Sequence, residues 1–168
     1  SKKRFLIIPL YLEKERTKHE AHSNVMIYDS RTKILEYFEP HGSTVGFFDK
    51  SITASLIGVI LSKSLIKLKL DIQSVVSAYP FNTRGIQHYN THEPKFKDER
   101  GFCSRWCDWF VDYRLKHENE SVQQLTMNAF KNIYKTRTFI RNYTNFLKTL
   151  ANRYVPDCMG NPDNIKNT

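Results

Sequence analysis

Apolar residues dominate "RFLIIPLYLE", residues 4–13, broken only by Pro9, a pattern that predicts a buried strand with an edge or bulge at the proline. The charged, aperiodic "EKERTKHEA" that follows, residues 13–21, predicts a solvated loop. Two short runs, "HSNVMIYD" (22–29) and "KILEYFEP" (33–40), flank the turn residues Asp29, Ser30, Arg31 and Thr32, and together they predict a hairpin. Between Asp49 and Leu70 the positions Ile52, Leu56, Val59, Ile60 and Ile66 follow a helical spacing, with Asp49 or Ser51 placed to cap the start. "DIQSVVSAYP", residues 71–80, returns to a strand pattern and ends at Pro80 and the turn-rich "FNTRG". A helix followed by a strand implies a crossover back onto the sheet.

From Cys103 to Leu115 the positions Cys103, Trp106, Cys107, Phe110, Val111 and Leu115 share one helical face, so this helix is expected deep in the core. The last third is helical. Ser121 and Gln124 form a capping-box signature, and Leu125, Phe130, Ile133, Phe139, Phe146 and Leu150 carry an apolar stripe with a break near Thr136 to Thr138. Residues 1–155 are expected to form a single α+β domain, and 156–168, rich in Pro, Gly and Asn, a flexible C-terminal tail. No internal repeat or low-complexity segment interrupts this order.

The chain has 168 residues, enough to bury roughly two thirds of its unfolded surface without metals or disulfides. Its 40% hydrophobic content, with nine Tyr, eleven Phe and two Trp, argues for a globular core. Three cysteines, Cys103, Cys107 and Cys158, give no disulfide framework and fit free thiols in a reducing, intracellular setting. A net charge of +9 predicts attraction to polyanions or acidic partners, set against the plainer reading of a solvated lysine-rich surface. No apolar run approaches a membrane span, and no signal peptide precedes Phe5. The start at Ser1, without methionine, fits a processed product or a piece of a longer chain.

In "DERGFCSRWCDWFVDYRL", residues 98–115, Cys103 stands at a helix mouth. The open N–H groups and partial positive charge there favour a thiolate, and the N–H groups of Cys103 and Ser104 are placed to receive an oxyanion. Cys107, one turn further in, is expected buried and inert. The competing reading of Cys103 is a small hydrophobe filling a first-turn gap. A nucleophile also needs a base and an orienting acid. A two-residue turn at Ser30 and Arg31 would pair Asp29 with Thr32 and place His22 opposite Glu39, with Cβ atoms about 4.5–5.5 Å apart. A one-residue slip would instead bring Pro40 to His22, leaving Glu39 as an ordinary cross-strand partner for a lysine.

The order of strand, His, strand, acid, helix, strand, Gln and Cys at a helix start resembles the Ulp1-like and adenain-like cysteine proteases, clan CE. "HSNVMIYDSRTKILEYFEPHGS" resembles their paired strands and "GFCSRWCDWFVDYRL" their nucleophile helix, and "FEPHG" and "GFCSRW" resemble versions in large nucleocytoplasmic DNA viruses. The resemblance spans residues 4 to about 117 and implies an α+β fold of the papain-like/Ulp1-like type, with a central mixed sheet flanked by helices. It also implies Cys103 as nucleophile, His22 as base, Glu39 as orienting acid and Gln87, in "RGIQHYN", as oxyanion donor. Gln87 lies sixteen residues before Cys103, farther than in the SUMO-protease branch, and Ser23 and Ser104 stand where many members carry Trp and Gly.

The implied reaction is peptide hydrolysis through a thioacyl intermediate, after Gly-Gly or Gly-X-Gly motifs, with no metal or organic cofactor. The implied partner is a viral precursor polyprotein or a ubiquitin-like conjugate, met in host cytoplasm or virion by a monomer whose basic surface contacts DNA and no membrane. Two other classes compete. "YKTRTFIRNY", residues 134–143, mixes basic and aromatic residues as nucleic-acid-binding modules do, although Phe139, Ile140 and Tyr143 are expected to face the core. His88 with His92, and His19, Glu20 and His22, are loosely spaced for metal, and "HYNTHE" lacks the H-E-x-x-H arrangement. His41 in "EPHG" is an alternative base.

Overall fold

The structure, a computed structural model, describes residues 3–13, 21–42, 69–79, 84–89, 102–133 and 138–154. Strands β1 (Phe5–Glu13), β2 (Ala21–Asp29), β3 (Ile34–Phe38) and β4 (Ser74–Ser77) form one sheet in the order β1-β2-β3-β4. β1 and β3 are both antiparallel to β2, whereas β4 runs parallel to β3. The sheet is therefore mixed, and the chain crosses over between β3 and β4 as the sequence pattern predicts. The helix expected between Asp49 and Leu70, the tail from residue 156 and most of the loop at 13–21 lie outside the described residues. Helices α1 (Ile86–Tyr89), α2 (Cys103–Lys116), α3 (Val122–Ile133) and α4 (Phe139–Tyr154) complete an α+β fold.

Strict alternation sorts β2 between two cores. Val25 and Ile27 join Phe38, Trp106, Phe110, Leu125, Ala129, Ile133 and Ile140 on the helix side. Met26 and Tyr28 join Leu35 and Tyr37 on the other side, with Leu70 and Ile72 packed against them. Both faces of β2 are thus buried, which explains its lack of a clean polar face. β1 differs from its expectation as a buried strand. Among the described residues β2 is its only strand neighbour, and Leu6, Ile7 and Tyr11 are exposed. The Arg4 carbonyl accepts the Ser30 N–H, so even-numbered residues of β1 turn their backbone toward β2 and Pro9 turns outward. At an outward position the missing N–H breaks no ladder bond.

α2 lies across the helix-side core through aromatic contacts. Phe110 stacks on Phe38 at 4.2 Å between centroids, and Trp106 packs edge-on against Trp109 at 5.5 Å and flat against Phe139 at 5.9 Å. The buried face runs through Trp106, Cys107, Trp109, Phe110 and Arg114, so it departs from the expected stripe at its end, where Leu115 is exposed. Charge explains the exchange. Arg114 donates through Nε and Nη2 to the two carboxylate oxygens of Glu36, each at 2.8 Å, and through Nη1 to the His117 carbonyl at 3.0 Å. Asp29, fully buried, stands 4.0 Å from Arg114 and takes two hydrogen bonds from Arg4, at 2.8 and 3.1 Å. Arg4 also pairs with Glu118, and both guanidinium groups lie over the Phe5 ring.

α3 starts as predicted, with the Ser121 hydroxyl accepting the Gln124 N–H at 3.3 Å. α4 packs mainly through Ile140, with Phe139 and Tyr143 against the same core; Phe146, expected in the stripe, faces an open groove toward α2 and β1. Among the described residues no helix is long and apolar enough to cross a membrane.

The buried pair predicts a specific stability pattern. Arg114→Met alone strands Glu36 without its partner and should lower stability by roughly 3–5 kcal/mol in chemical denaturation, whereas Arg114→Met with Glu36→Leu should recover most of that loss. A double variant as unstable as the single one would contradict it.

Candidate active site

The hairpin that carries His22 closes differently from the expectation. β2 and β3 pair Asp29 with Ile34 and Val25 with Phe38, so the connection is the four residues 30–33 and the expected Asp29–Thr32 pair does not form. The Asp29 carboxylate explains this widening. It accepts the Arg31 N–H at 2.9 Å while the Asp29 carbonyl accepts the Lys33 N–H at 2.7 Å, and Lys33 takes a left-handed φ of 61°. Continued past Phe38, this register sets Asn24 opposite Glu39 and His41 opposite His22. A shift of two residues leaves every side chain on its face. His22 and Glu39 thus become diagonal neighbours, and His22 Nε2 lies 2.6 Å from Glu39 Oε1.

Glu39 is held from three sides. Its Oε1 also accepts the His41 N–H at 3.0 Å, and the Tyr37 hydroxyl donates to its carboxylate. Tyr37 in turn accepts from Asn24 Nδ2 at 2.7 Å. Burial first, and then the nearby Glu39 charge, push the Tyr37 phenol far up, so it stays a donor. Tyr37 and Asn24 carry no site signal in the sequence beyond a buried asparagine in an apolar run. His41 stands with its ring 5.0 Å from that of His22, and burial, followed by the His22 charge, holds it below its ordinary value.

Cys103 occupies the first position of α2, where Phe102 serves as N-cap without a side-chain capping bond. No side chain of the N-cap therefore claims the first-turn N–H groups. Cys103 and His22 hydrogen-bond through their side chains; with Nε2 on Glu39, Nδ1 is the ring nitrogen left for sulfur. Burial would push the Cys103 thiol up, but the His22 bond, the Ser23 and Ser104 N–H groups and the His22 charge outweigh it and hold the thiol below its ordinary value. Burial likewise opposes a charged His22, yet hydrogen bonds to Cys103 and Glu39 and the charges of both lift it to about 9. Both shifts favour a thiolate beside an imidazolium.

Gln87 sits in α1, which is docked on the turn that follows Glu39. The Gln87 N–H donates to the Pro40 carbonyl at 3.0 Å, the Gly85 N–H to His41 at 2.7 Å, and the Ile86 N–H to the Tyr79 hydroxyl at 3.2 Å. A Cβ on Gly85 would stand 2.2 Å from Gly42 N and the Pro40 carbonyl oxygen, so only glycine permits this approach. Gly42 adds a φ of 84°. The Gln87 side-chain oxygen is buried with no partner among the described residues, and residues 90–101, between Gln87 and Cys103, lie outside them. The structure thus brings Cys103, His22 and Glu39 into one hydrogen-bonded line and anchors Gln87 to the turn behind the acid. His88 contacts Arg84 Nη1 at 2.7 Å, while His19, Glu20 and His92 lie outside the described residues.

This fold is shared with ChlaDub1 from Chlamydia trachomatis, whose solved structure matches with a TM-score of 0.52 at 17% identity, over 88% of this chain and 60% of that one. In sequence, the chain is 30% identical over 174 aligned residues to L371, named an ankyrin repeat protein, of Acanthamoeba polyphaga mimivirus. That alignment covers 88% of this chain and spans 22% of the viral protein. No protein-family model matches the chain.

Two measurements check the site. Iodoacetamide should alkylate Cys103 at a rate that stays high well below the ordinary thiol pKa of about 8.5, falls as the thiolate protonates in acid, and collapses below that pKa in His22→Ala. An unchanged profile in His22→Ala would refute the pairing. Gly85→Ala should lower stability by about 1–3 kcal/mol through backbone overpacking, and wild-type melting behaviour in that variant would refute the close approach.

Proposed function

We propose that the chain is a cysteine peptidase of the clan CE type that hydrolyses peptide or isopeptide bonds with Cys103 as nucleophile. The line from thiol to imidazole to carboxylate at a helix mouth carries this reading. His22 holds the Cys103 proton in the resting thiolate–imidazolium pair, the thiolate attacks the scissile carbonyl carbon, and Glu39 keeps the imidazolium oriented. The Cys103 amide N–H and Gln87 donate to the oxyanion. As the C–N bond breaks, His22 returns the proton to the leaving amine, and the acyl group stays on sulfur. A water, deprotonated by His22, then attacks the thioester carbon, the C–S bond breaks to release the carboxylic acid product, and Cys103 and His22 return to the thiolate–imidazolium pair.

Two substrate classes fit this chemistry. The fold shared with ChlaDub1, a deubiquitinase, favours ubiquitin-like conjugates. The similarity to a mimivirus protein favours a viral setting, in which precursor polyproteins cut after Gly-Gly or Gly-X-Gly are the natural alternative.

Propargylamide-ended ubiquitin and SUMO, together with a fluorogenic Gly-Gly peptide panel, test the reading. Wild type should form a probe adduct or turn over at least one peptide, Cys103→Ala should do neither, and Glu39→Gln should lose about 10²–10⁴-fold in turnover. Absence of any adduct or turnover, with Cys103 alkylating like an ordinary thiol, would overturn it.

A further inference from the structure

Among the described residues, Cys107 is the cysteine that the proposed reaction leaves unused. It lies one turn into α2, 7% exposed, and burial followed by the Cys103 charge pushes its thiol far up, so it is a neutral S–H. The backbone opposite explains why a weak donor is placed there. In β2 the odd-numbered residues turn their N–H and C=O groups toward β3, as the Asp29 carbonyl does in accepting the Lys33 N–H. The ladder stops at Val25 and Phe38, because the chain then turns through Pro40 to Gly42.

Ser23 is the next residue in that series. Its carbonyl accepts from Cys107 Sγ at 3.3 Å, and its N–H is directed at the sulfur of Cys103. The two cysteines, four apart on one helical face, therefore take the positions a further β3 residue would have filled. One satisfies the carbonyl and the other meets the amide of the residue that directly follows His22.

We propose that Cys107 is a positioning residue for Cys103: by donating to the Ser23 carbonyl it seats the first turn of α2 so that the Ser23 N–H and His22 both meet the reactive sulfur. This rests on the peptidase reading and adds a residue to it. Without the donor a buried carbonyl loses its partner, and the first turn is free to shift by the fraction of an ångström that separates a good thiolate hydrogen bond from a poor one. Among the described residues, the titratable groups that act on the pair are His22, Tyr37 and Glu39 from the hairpin, Tyr79 beyond β4 and Asp108 from α2.

The test is site-resolved iodoacetamide alkylation of Cys103 from pH 4 to 9 in wild type, His22→Ala, Cys107→Ser, Cys107→Val and Cys107→Ala, with melting curves alongside. Cys107→Val loses the donor and fills the site with a side chain larger by about a methyl group, and its low-pH rate should fall about fivefold to tenfold, with the profile moving toward that of a free thiol. Cys107→Ser keeps a donor and should stay within about threefold of wild type. A Val profile equal to wild type, or a Ser profile as poor as that of Val or Ala at similar melting temperature, would overturn the proposal. If Val does not fold, the contrast between Ser and Ala decides in the same way. The two readings fail separately: an unaltered profile in His22→Ala sinks the peptidase assignment, whereas a collapsed His22→Ala profile beside a wild-type Val profile sinks only the role of Cys107.

Discussion

The buried ion pair between Arg114 and Glu36 is the contact that everything at the site leans on. α2 has 14 residues and is about 21 Å long, and a helix of that length moves as a rod. Its far end is fixed to β3 by a bidentate guanidinium–carboxylate bond whose planar geometry tolerates little sliding or rotation. The Phe38–Phe110 stack fixes the middle, and the Ser23 peptide meets the near end. Cys103 therefore reaches His22 because of contacts made three turns away. Such a pair contributes less to net stability than to choosing one seating among several that an apolar helix face would allow, and Asp29 and Arg4 extend the same selection to the hairpin and to β1.

The turn from Glu39 to Gly42 is the second organising element. It ends the β2–β3 ladder, and in doing so it frees Ser23 to face α2. The same four residues present a carboxylate to His22, a backbone N–H to that carboxylate, and one carbonyl each to Gln87 of α1 and to Gly85 just before it. Proline, which offers no N–H, and glycine, which allows a left-handed φ, suit so tight a turn.

Burial opposes ionisation of both Cys103 and His22, yet the net shifts run the other way for each. Hydrogen bonds outweigh desolvation because each partner supplies the charge the other needs. The Tyr37–Asn24 chain behind Glu39 keeps the carboxylate from drifting toward solvent or toward His41. The line of groups is thus supported over two strands and one helix, which is how a site half-sunk in a protein core can hold separated charge.

Local pattern determined a good deal. The strands, the helix that opens at Cys103, the Ser121 cap and the crossover that makes the sheet mixed follow from periodicity and turn chemistry, because those depend on residues near in sequence. The face shared by His22 and Glu39 was legible too, since alternation survives a register shift of two. The register itself was not, because it depends on Asp29 being held by Arg4 and taking the Arg31 N–H. Nor was the choice of Arg114 over Leu115 as a buried residue, because helical spacing ranks hydrophobicity and has no knowledge of a carboxylate on β3. Tyr37, Asn24, Gly85 and Ser23 acquired their places only when distant segments met. Sequence determined which side chains could do chemistry, and tertiary packing decided which of them stand within bonding distance, because hydrogen bonds and ion pairs depend on separations in space that chain order leaves open.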